Sequence, residues 1–320
     1  MKVKKQMLNK ELRPFYNKYR VVPKVLSKKW SVKLINDFIN KTIKGRNIEG
    51  LDCDEIYIPS THDDYQIRLR IYRPLDNKKQ LPVLLYIHGG GYITGIPDSS
   101  DTIIKKFILT RPCVVIAPDY RKALTKPYPA ALNDCYDTLL WAKGHCDDLN
   151  IITDKFMVAG HSAGGGLSAA VTLKARDTKD INIAFQMPLY PMLDDTQPFD
   201  LKRFIITPTW DSRSNKFAWD AYLLDLHKKH LDIPAYASPS RNHDYHDFPP
   251  TITFVGTLEP FYWETVEYVQ ALEKEGIDVA FKIFEGCFHG FDTVVGTHIS
   301  NEAIHFTYDY FAKFYDKYVI

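Results

Sequence analysis

Short, continuous apolar runs punctuate the chain: Val83-Leu-Leu-Tyr-Ile87, Val114-Val-Ile-Ala117, Phe156-Met-Val-Ala159, Ile183-Ala-Phe185, Ile252-Thr-Phe-Val255 and Val279-Ala-Phe-Lys-Ile283. A strand covered on both faces reads this way, so these runs predict a mostly parallel sheet. Between them, apolar positions recur at helical spacing in Ala130–Lys143, Trp263–Lys274 and Glu302–Lys317. Strands alternating with helices predict an α/β fold with helices on both faces of the sheet. Upstream, Trp30–Ile43 places Val32, Ile35, Phe38, Ile39 and Ile43 on one predicted helix face. Ile67-Arg-Leu-Arg-Ile-Tyr72 alternates apolar and basic residues, which predicts a half-exposed strand, closed by the turn residues Pro74 and Asp76-Asn77. From about residue 194 to 246 no strand is visible. That stretch is aromatic and charged, with a helix-like run at Lys216–His230. An insertion of this size predicts a lid or cap.

Composition narrows the class. The 320 residues are 45% apolar and 25% charged, which fits a soluble globular protein and excludes disorder, collagen and coiled coil. No apolar run approaches the length of a membrane span. The first ten residues are basic with no apolar core behind them, so no secretory signal is read and a cytoplasmic protein is expected. The five cysteines, odd in number and without CxxC, are expected as reduced thiols. Cys287 lies two residues from His289 and, taken alone, is a candidate thiol nucleophile.

The formal charge of +2 hides a division. Residues 1–30 hold ten Lys/Arg and one acid, so they carry +9 and the rest of the chain −7. No aromatic–basic stripe or groove-reading motif accompanies this arm, so no nucleic-acid partner is expected. No apolar anchor accompanies it, so no stable membrane anchor is expected either. An arm folded over an acidic body would steer anionic substrates or touch anionic lipid.

The chemistry centres on Gly160-His161-Ser162-Ala163-Gly164, which follows the run ending at Ala159 and precedes a helix-like run, Leu167–Lys174. This is G-x-S-x-G in a strand–turn–helix setting. A serine hydroxyl is a weak nucleophile and needs exposure at a strand end beside a base. Taken alone, the pentapeptide is equally well a glycine-rich turn with an idle serine. His88-Gly89-Gly90-Gly91 follows the run ending at Ile87. Its amides suit an oxyanion developing on a carbonyl, with the amide of Ala163 as partner donor. A plain glycine turn or a phosphate loop is the alternative, but no complete phosphate motif is present.

Seven histidines follow Ser162. His289 lies in Glu285-Gly-Cys-Phe-His-Gly-Phe291, just past the run ending at Ile283, where a loop can present a base. His305 falls inside a helix pattern. His227/His230 and His243/His246 are each three apart but lack a cysteine pair or HExxH, so they read as solvated surface and no metal is expected. Glu259, in Gly256-Thr-Leu-Glu-Pro260, also follows a strand and suits the acid that orients the histidine. Glu264 falls inside the next helix and reads as a helix-surface or cap residue. Three such groups at three strand ends, in the order serine, acid, histidine, are far less expected by chance than any one of them.

Together, Tyr86-Ile-His-Gly-Gly-Gly-Tyr92, Asp119-Tyr-Arg121, Tyr128-Pro-Ala-Ala131, Gly160-His-Ser-Ala-Gly-Gly165, Gly256-Thr-Leu-Glu-Pro260 and His289-Gly-Phe291 resemble the hormone-sensitive-lipase-like branch of the α/β-hydrolase esterases. The resemblance runs from about residue 67 to the C-terminus. It implies a single α/β-hydrolase domain over residues 1–320, with cap segments at about 1–48 and about 195–235. It implies a serine carboxylic-ester hydrolase acting on small-molecule esters with short- to medium-chain acyl groups, through an acyl-enzyme and without cofactor or metal. Carried over by position, Ser162 is the nucleophile, His289 the base and Glu259 the acid. Gly89, Gly90 and Gly91, with Ala163, form the oxyanion hole, and Asp119-Tyr120-Arg121 is a structural motif.

Two positions depart from the family pattern. It usually has Asp where this chain has Glu259, which is one methylene longer but still able to accept the imidazole N–H. It commonly has Asp where this chain has His161, whose place next to Ser162 in the backbone makes it a neighbour that tunes packing or substrate. Phe199, Phe204, Trp210, Phe217 and Trp219 either wall an acyl pocket or form the cap core. A deacetylase of acetylated sugars or a carbamate or amide hydrolase would use the same triad. A non-catalytic small-molecule receptor is the reading from another class, and the presence of all three triad groups counts against it. An exposed sheet edge leaves room for a homodimer.

Overall fold

The apolar runs become strands of one sheet in the computed structural model, which describes residues 1–320. The strands are β1 (Leu51–Pro59), β2 (Gln66–Pro74), β3 (Leu81–Ile87), β4 (Val114–Pro118), β5 (Ile151–His161), β6 (Ile183–Leu189), β7 (Thr251–Gly256) and β8 (Val279–Phe284). Their spatial order is β1-β2-β4-β3-β5-β6-β7-β8. The β1/β2 and β2/β4 pairs are antiparallel and the remaining neighbours are parallel. The longer helices are α1 (Lys29–Thr42), α2 (Asp101–Thr110), α3 (Ala130–Gly144), α4 (Ala163–Thr178), α5 (Ser212–Tyr222), α6 (Tyr262–Lys274) and α7 (His298–Tyr318).

Two-sided burial explains the continuous runs. Val83, Leu85, Ile87, Phe156 and Val158 pack with Leu132, Leu139, Leu167 and Val171 of α3 and α4. The alternate residues Leu84, Tyr86, Met157 and Ala159 pack with Ile104, Phe107, Phe311 and Phe314 of α2 and α7. Each strand residue therefore has an apolar neighbour whichever way it points. β8 departs from this expectation. It is an edge strand, and only Ala280 and Phe284 are buried. β1 escapes the apolar pattern because Asp52, Asp54 and Glu55 interrupt it.

β2 is the larger correction. Its basic residues do not face water: Arg68 and Arg70 are each only 3% exposed. Arg68 donates two hydrogen bonds to Asp98, at 2.8 and 2.9 Å, and one to Glu55 at 2.7 Å. Asp98 is itself buried and also accepts the Gly45 amide at 2.8 Å. Burial works to raise the Asp98 carboxyl, but Arg68 and the Gly45 amide more than offset it and hold it below its ordinary value. Alternation of apolar and basic residues here records two different interiors, one apolar and one ionic.

The two segments expected to form a cap are joined by backbone hydrogen bonds. Val3 donates to Ile206 and Ile206 to Met1, both at 2.8 Å, and Thr209 donates to Tyr19 at 3.1 Å. In the second segment the helix starts at Ser212, earlier than its apolar spacing suggests. Asp211 caps it by accepting the amides of Arg213 at 3.0 Å and Ser214 at 3.2 Å, while Ser214 Oγ accepts the Asp211 amide at 2.9 Å. Such a reciprocal cap is worth about 1 kcal/mol. The helix then breaks at Leu223 and resumes as a short turn, Leu224–Lys228, so the expected single helix to His230 is two pieces. In α1, Val32 is buried as expected, but Phe38 faces outward and is 65% exposed.

Candidate active site

Ser162 occupies the turn between β5 and α4 with φ +59° and ψ −121°, a conformation side chains other than glycine's rarely adopt. The turn is held against the end of β3. A Cβ on Gly164 would stand 2.1 Å from the Ile87 carbonyl oxygen, so only glycine fits there. The strand and helix thus present a strained serine at the C-terminal edge of the sheet.

His289 and Glu259 come to that serine from the loops after β8 and β7. His289 Nε2 lies 2.8 Å from Ser162 Oγ, and His289 Nδ1 lies 2.5 Å from Glu259 Oε2. The second carboxylate oxygen, Oε1, accepts the Gly256 amide at 2.8 Å. All three residues are buried. With Nδ1–H donating to the carboxylate, Nε2 is left as the acceptor for the serine proton. The imidazole is also clamped by rings. Phe261 meets it edge-on at 4.8 Å and 90°, and Tyr190 at 4.9 Å and 80°. Neither aromatic was marked by any motif, because each follows from three-dimensional packing alone.

The other titratable side chains named above, and Asp292 beside Tyr190, take no part in this relay. Cys287 is fully buried, its thiol donates weakly to Glu285 O, and burial pushes its pKa well up, so it is no nucleophile. His161 pairs through Nδ1 with Tyr86 Oη at 3.1 Å rather than with Ser162. Burial, with His289 nearby, pushes its pKa down to about 3, so it stays neutral. Asp292 accepts from the Tyr190 hydroxyl at 3.2 Å, and burial raises its carboxyl to about 6. Glu264 is not at the surface, as its helix position suggested. It is 2% exposed and accepts the amides of Leu193 at 2.6 Å and Asp194 at 3.2 Å, anchoring the start of the insertion. Burial raises its carboxyl well above the usual range. His305 is exposed on α7. His227, His230, His243 and His246 do not assemble into a group of three or more metal-ligating side chains.

The glycine loop lies beside the serine: a Cβ on Gly89 would stand 3.4 Å from Ser162 Cβ. The amides of Gly89, Gly90, Gly91 and Ala163 donate to no protein acceptor. His88 steadies the loop from beneath. Its Nδ1 lies 2.7 Å from Gly89 O, its ring stacks on Tyr120 at 4.3 Å, and burial pushes its pKa down to about 3. Tyr120 in turn donates to His88 O at 3.0 Å, while the neighbouring Arg121 grips buried Asp134, with Nη2 at 2.7 Å from Oδ1. Asp119-Tyr120-Arg121 is therefore a brace beneath the loop.

Trp210 covers the loop; a Cβ on Gly91 would stand 2.2 Å from its ring. Of the five cap aromatics, Trp210 alone has this place. Trp219 packs into the main core against Tyr92 and Tyr222, Phe217 packs partly buried against that core, and Phe199 is 56% exposed. Phe204 is partly buried, and its carbonyl accepts the terminal amine of Met1.

Known proteins resemble this chain in sequence and in fold. Residues 84–293 match a family described as alpha/beta hydrolase fold. The chain is 31% identical to esterase LipI of Mycobacterium tuberculosis over 231 residues, 70% of this chain and 71% of that protein. It is 27% identical to an arylesterase of Saccharolobus solfataricus, over 72% of this chain and 74% of that protein. Among solved structures, a bacterial heroin esterase superposes with a TM-score of 0.87 at 29% identity, covering 97% of this chain and 98% of that one. Fold, motif spacing and relatives converge: the chain belongs to the α/β-hydrolase fold family, in its hormone-sensitive-lipase-like class of esterases.

Proposed function

We propose that this serine ester hydrolase cleaves short- to medium-chain acyl esters of small molecules through an acyl-enzyme on Ser162. The observation that carries the reading is the continuous relay Ser162–His289–Glu259, with contacts of 2.8 and 2.5 Å. His289 Nε2 takes the Ser162 proton as Oγ attacks the ester carbonyl. Glu259 holds the ring and stabilises its charged form. The amides of Gly89, Gly90 and Gly91, with that of Ala163, face the developing oxyanion. His289 then protonates the leaving alcohol, and water repeats the sequence to release the acid. Residues 1–48 and 195–235 act as the cap, with Trp210 as the wall above the glycine loop.

The test is a panel of p-nitrophenyl esters from acetate to palmitate, run beside acetylated sugars, with wild type and Ser162→Ala. The reading requires the highest kcat/KM at short to medium chains and background rates for Ser162→Ala. A preference for palmitate, or for acetylated sugars, would replace the proposed substrate class. A folded, active Ser162→Ala protein would overturn the mechanism.

A further inference from the structure

Helix α1 has two apolar faces, and the fold uses one. On the inner side Val32 is buried in the core, while Asn36 donates to Ile93 O at 2.9 Å and accepts from Thr94 Oγ1 at 2.6 Å. On the outer side Trp30, Leu34 and Phe38 recur every four residues and are 63%, 60% and 65% exposed. Nothing in the chain covers these side chains, and large apolar groups clustered this way mark an interaction surface.

Cationic side chains outnumber acids around the stripe. Lys24, Lys28, Lys29, Lys33 and Lys41 flank it, with Lys28 Nζ 5.9 Å from the centroid of the Trp30 ring. Asp37 is paired with Lys33 at 2.8 Å; of the acids lining the groove beside Trp30, Asp63 is paired with Arg121 at 2.5 Å and Asp119 with Lys122 at 3.0 Å, which leaves Asp64. Residues 1–48 contain fourteen Lys/Arg and two acids, a charge of +12, which leaves −10 for residues 49–320.

We propose that the outer face of α1 is a reversible docking surface for an anionic lipid bilayer. Trp, Leu and Phe on one helix face bury at the level of the headgroups, and flanking lysines lay their stems over the apolar layer and their ammonium groups among the phosphates. The charge division orients the molecule, since an anionic surface attracts the +12 segment and repels the −10 body. A second copy of the chain is a poor occupant, because pairing through this face would set one +12 segment against another. No helix is long and apolar enough to cross a membrane, so the contact is peripheral.

The test is co-sedimentation of the full chain with phosphatidylcholine vesicles, with and without about one-third phosphatidylglycerol. Wild type binds the anionic vesicles at about 0.1 M salt, at least about tenfold more weakly when they are neutral, and again more weakly at about 0.5 M salt. The variant Trp30→Ser/Leu34→Ser/Phe38→Ser loses about tenfold in partitioning onto anionic vesicles at low salt. The variant Lys24→Gln/Lys28→Gln/Lys41→Gln loses the preference for anionic over neutral vesicles. Thermal melts establish that each is folded, and either variant tests the proposal if the other does not fold. Absence of wild-type binding, or unchanged binding by both variants, overturns it. So does a wild-type dimer that the serine variant splits, which would make the stripe an interface between copies. Sedimentation needs no turnover, so the result is independent of the hydrolase reading.

Discussion

Glu259 and Glu264 are both buried and lie five residues apart, yet only Glu259 reaches the imidazole of His289. Glu264 spends one oxygen on the amides of Leu193 and Asp194 and has no link to the serine. Glu259→Gln keeps the shape but removes the charge that stabilises the imidazolium. Its kcat on p-nitrophenyl butyrate should fall by on the order of 10³–10⁴. Glu264→Gln and Asp292→Asn should stay within about threefold of wild type, as neither touches the reacting groups. A large loss in Asp292→Asn with a mild one in Glu259→Gln would reassign the acid.

Gly91 stands beneath Trp210 with φ +60°, so a side chain there meets both a ring and an unfavourable backbone. Gly91→Ala should displace the loop and cost on the order of 100-fold in kcat, the scale of one lost oxyanion donor. Adding Trp210→Ala removes the clash but not the backbone strain, so the double variant should recover part of the rate. Steady-state kinetics on the two proteins decide it; no recovery would place the whole effect in the backbone.

Burial raises the Asp292 carboxyl from 3.8 to about 6. Between these values the unfolded chain loses the proton while the folded protein keeps it, so stability falls as pH rises through that window and levels off above about 6. The group contributes about 2–3 kcal/mol to this decline, from roughly 1.4 kcal/mol per pH unit. Asp292→Asn should remove the contribution. Urea unfolding of both proteins at several pH values should show the variant gaining on wild type from about pH 4 to 6, then holding a constant difference. A flat difference across that window would mean that Asp292 is not protonated in the fold.

Two arginine pairs of similar shape should differ in worth. Arg68 is bidentate to Asp98 in the interior, and Arg111 is bidentate to Asp316 at the surface, at 2.7 and 2.6 Å. Asp98→Ala leaves a buried guanidinium short of its main partner and should cost about 3–5 kcal/mol. Asp316→Ala should cost under about 1 kcal/mol. Denaturant midpoints for the two variants measure the contrast, and equal losses would contradict the assigned burial.

Much of the fold and the site is legible in the linear chain, for a physical reason. A strand buried on both faces must be apolar throughout, and a nucleophile turn must carry glycine where an added Cβ would stand 2.1 Å from a backbone oxygen. Ser162, Glu259 and His289 could be marked because each follows an apolar run, although the run before His289 forms only a half-buried edge strand. What escaped recognition depends on partners remote in sequence. Arg68 looks like a surface residue until Asp98, thirty positions away, folds over it. Glu264 looks like a helix-surface carboxylate until the backbone at 193–194 arrives. Tyr190 and Phe261 grip His289 through ring geometry that no spacing encodes. The edge position of β8 is a matter of strand order, which the apolar content of Val279–Ile283 does not reveal.

The left-handed backbone at Ser162 has an evolutionary consequence. A non-glycine residue held in such a region stores on the order of 1–3 kcal/mol. Ser162→Gly relieves that strain and should fold more stably than the parent while catalysing nothing. A screen that rewards only thermal resistance would therefore discard the nucleophile, and one that rewards turnover would keep it.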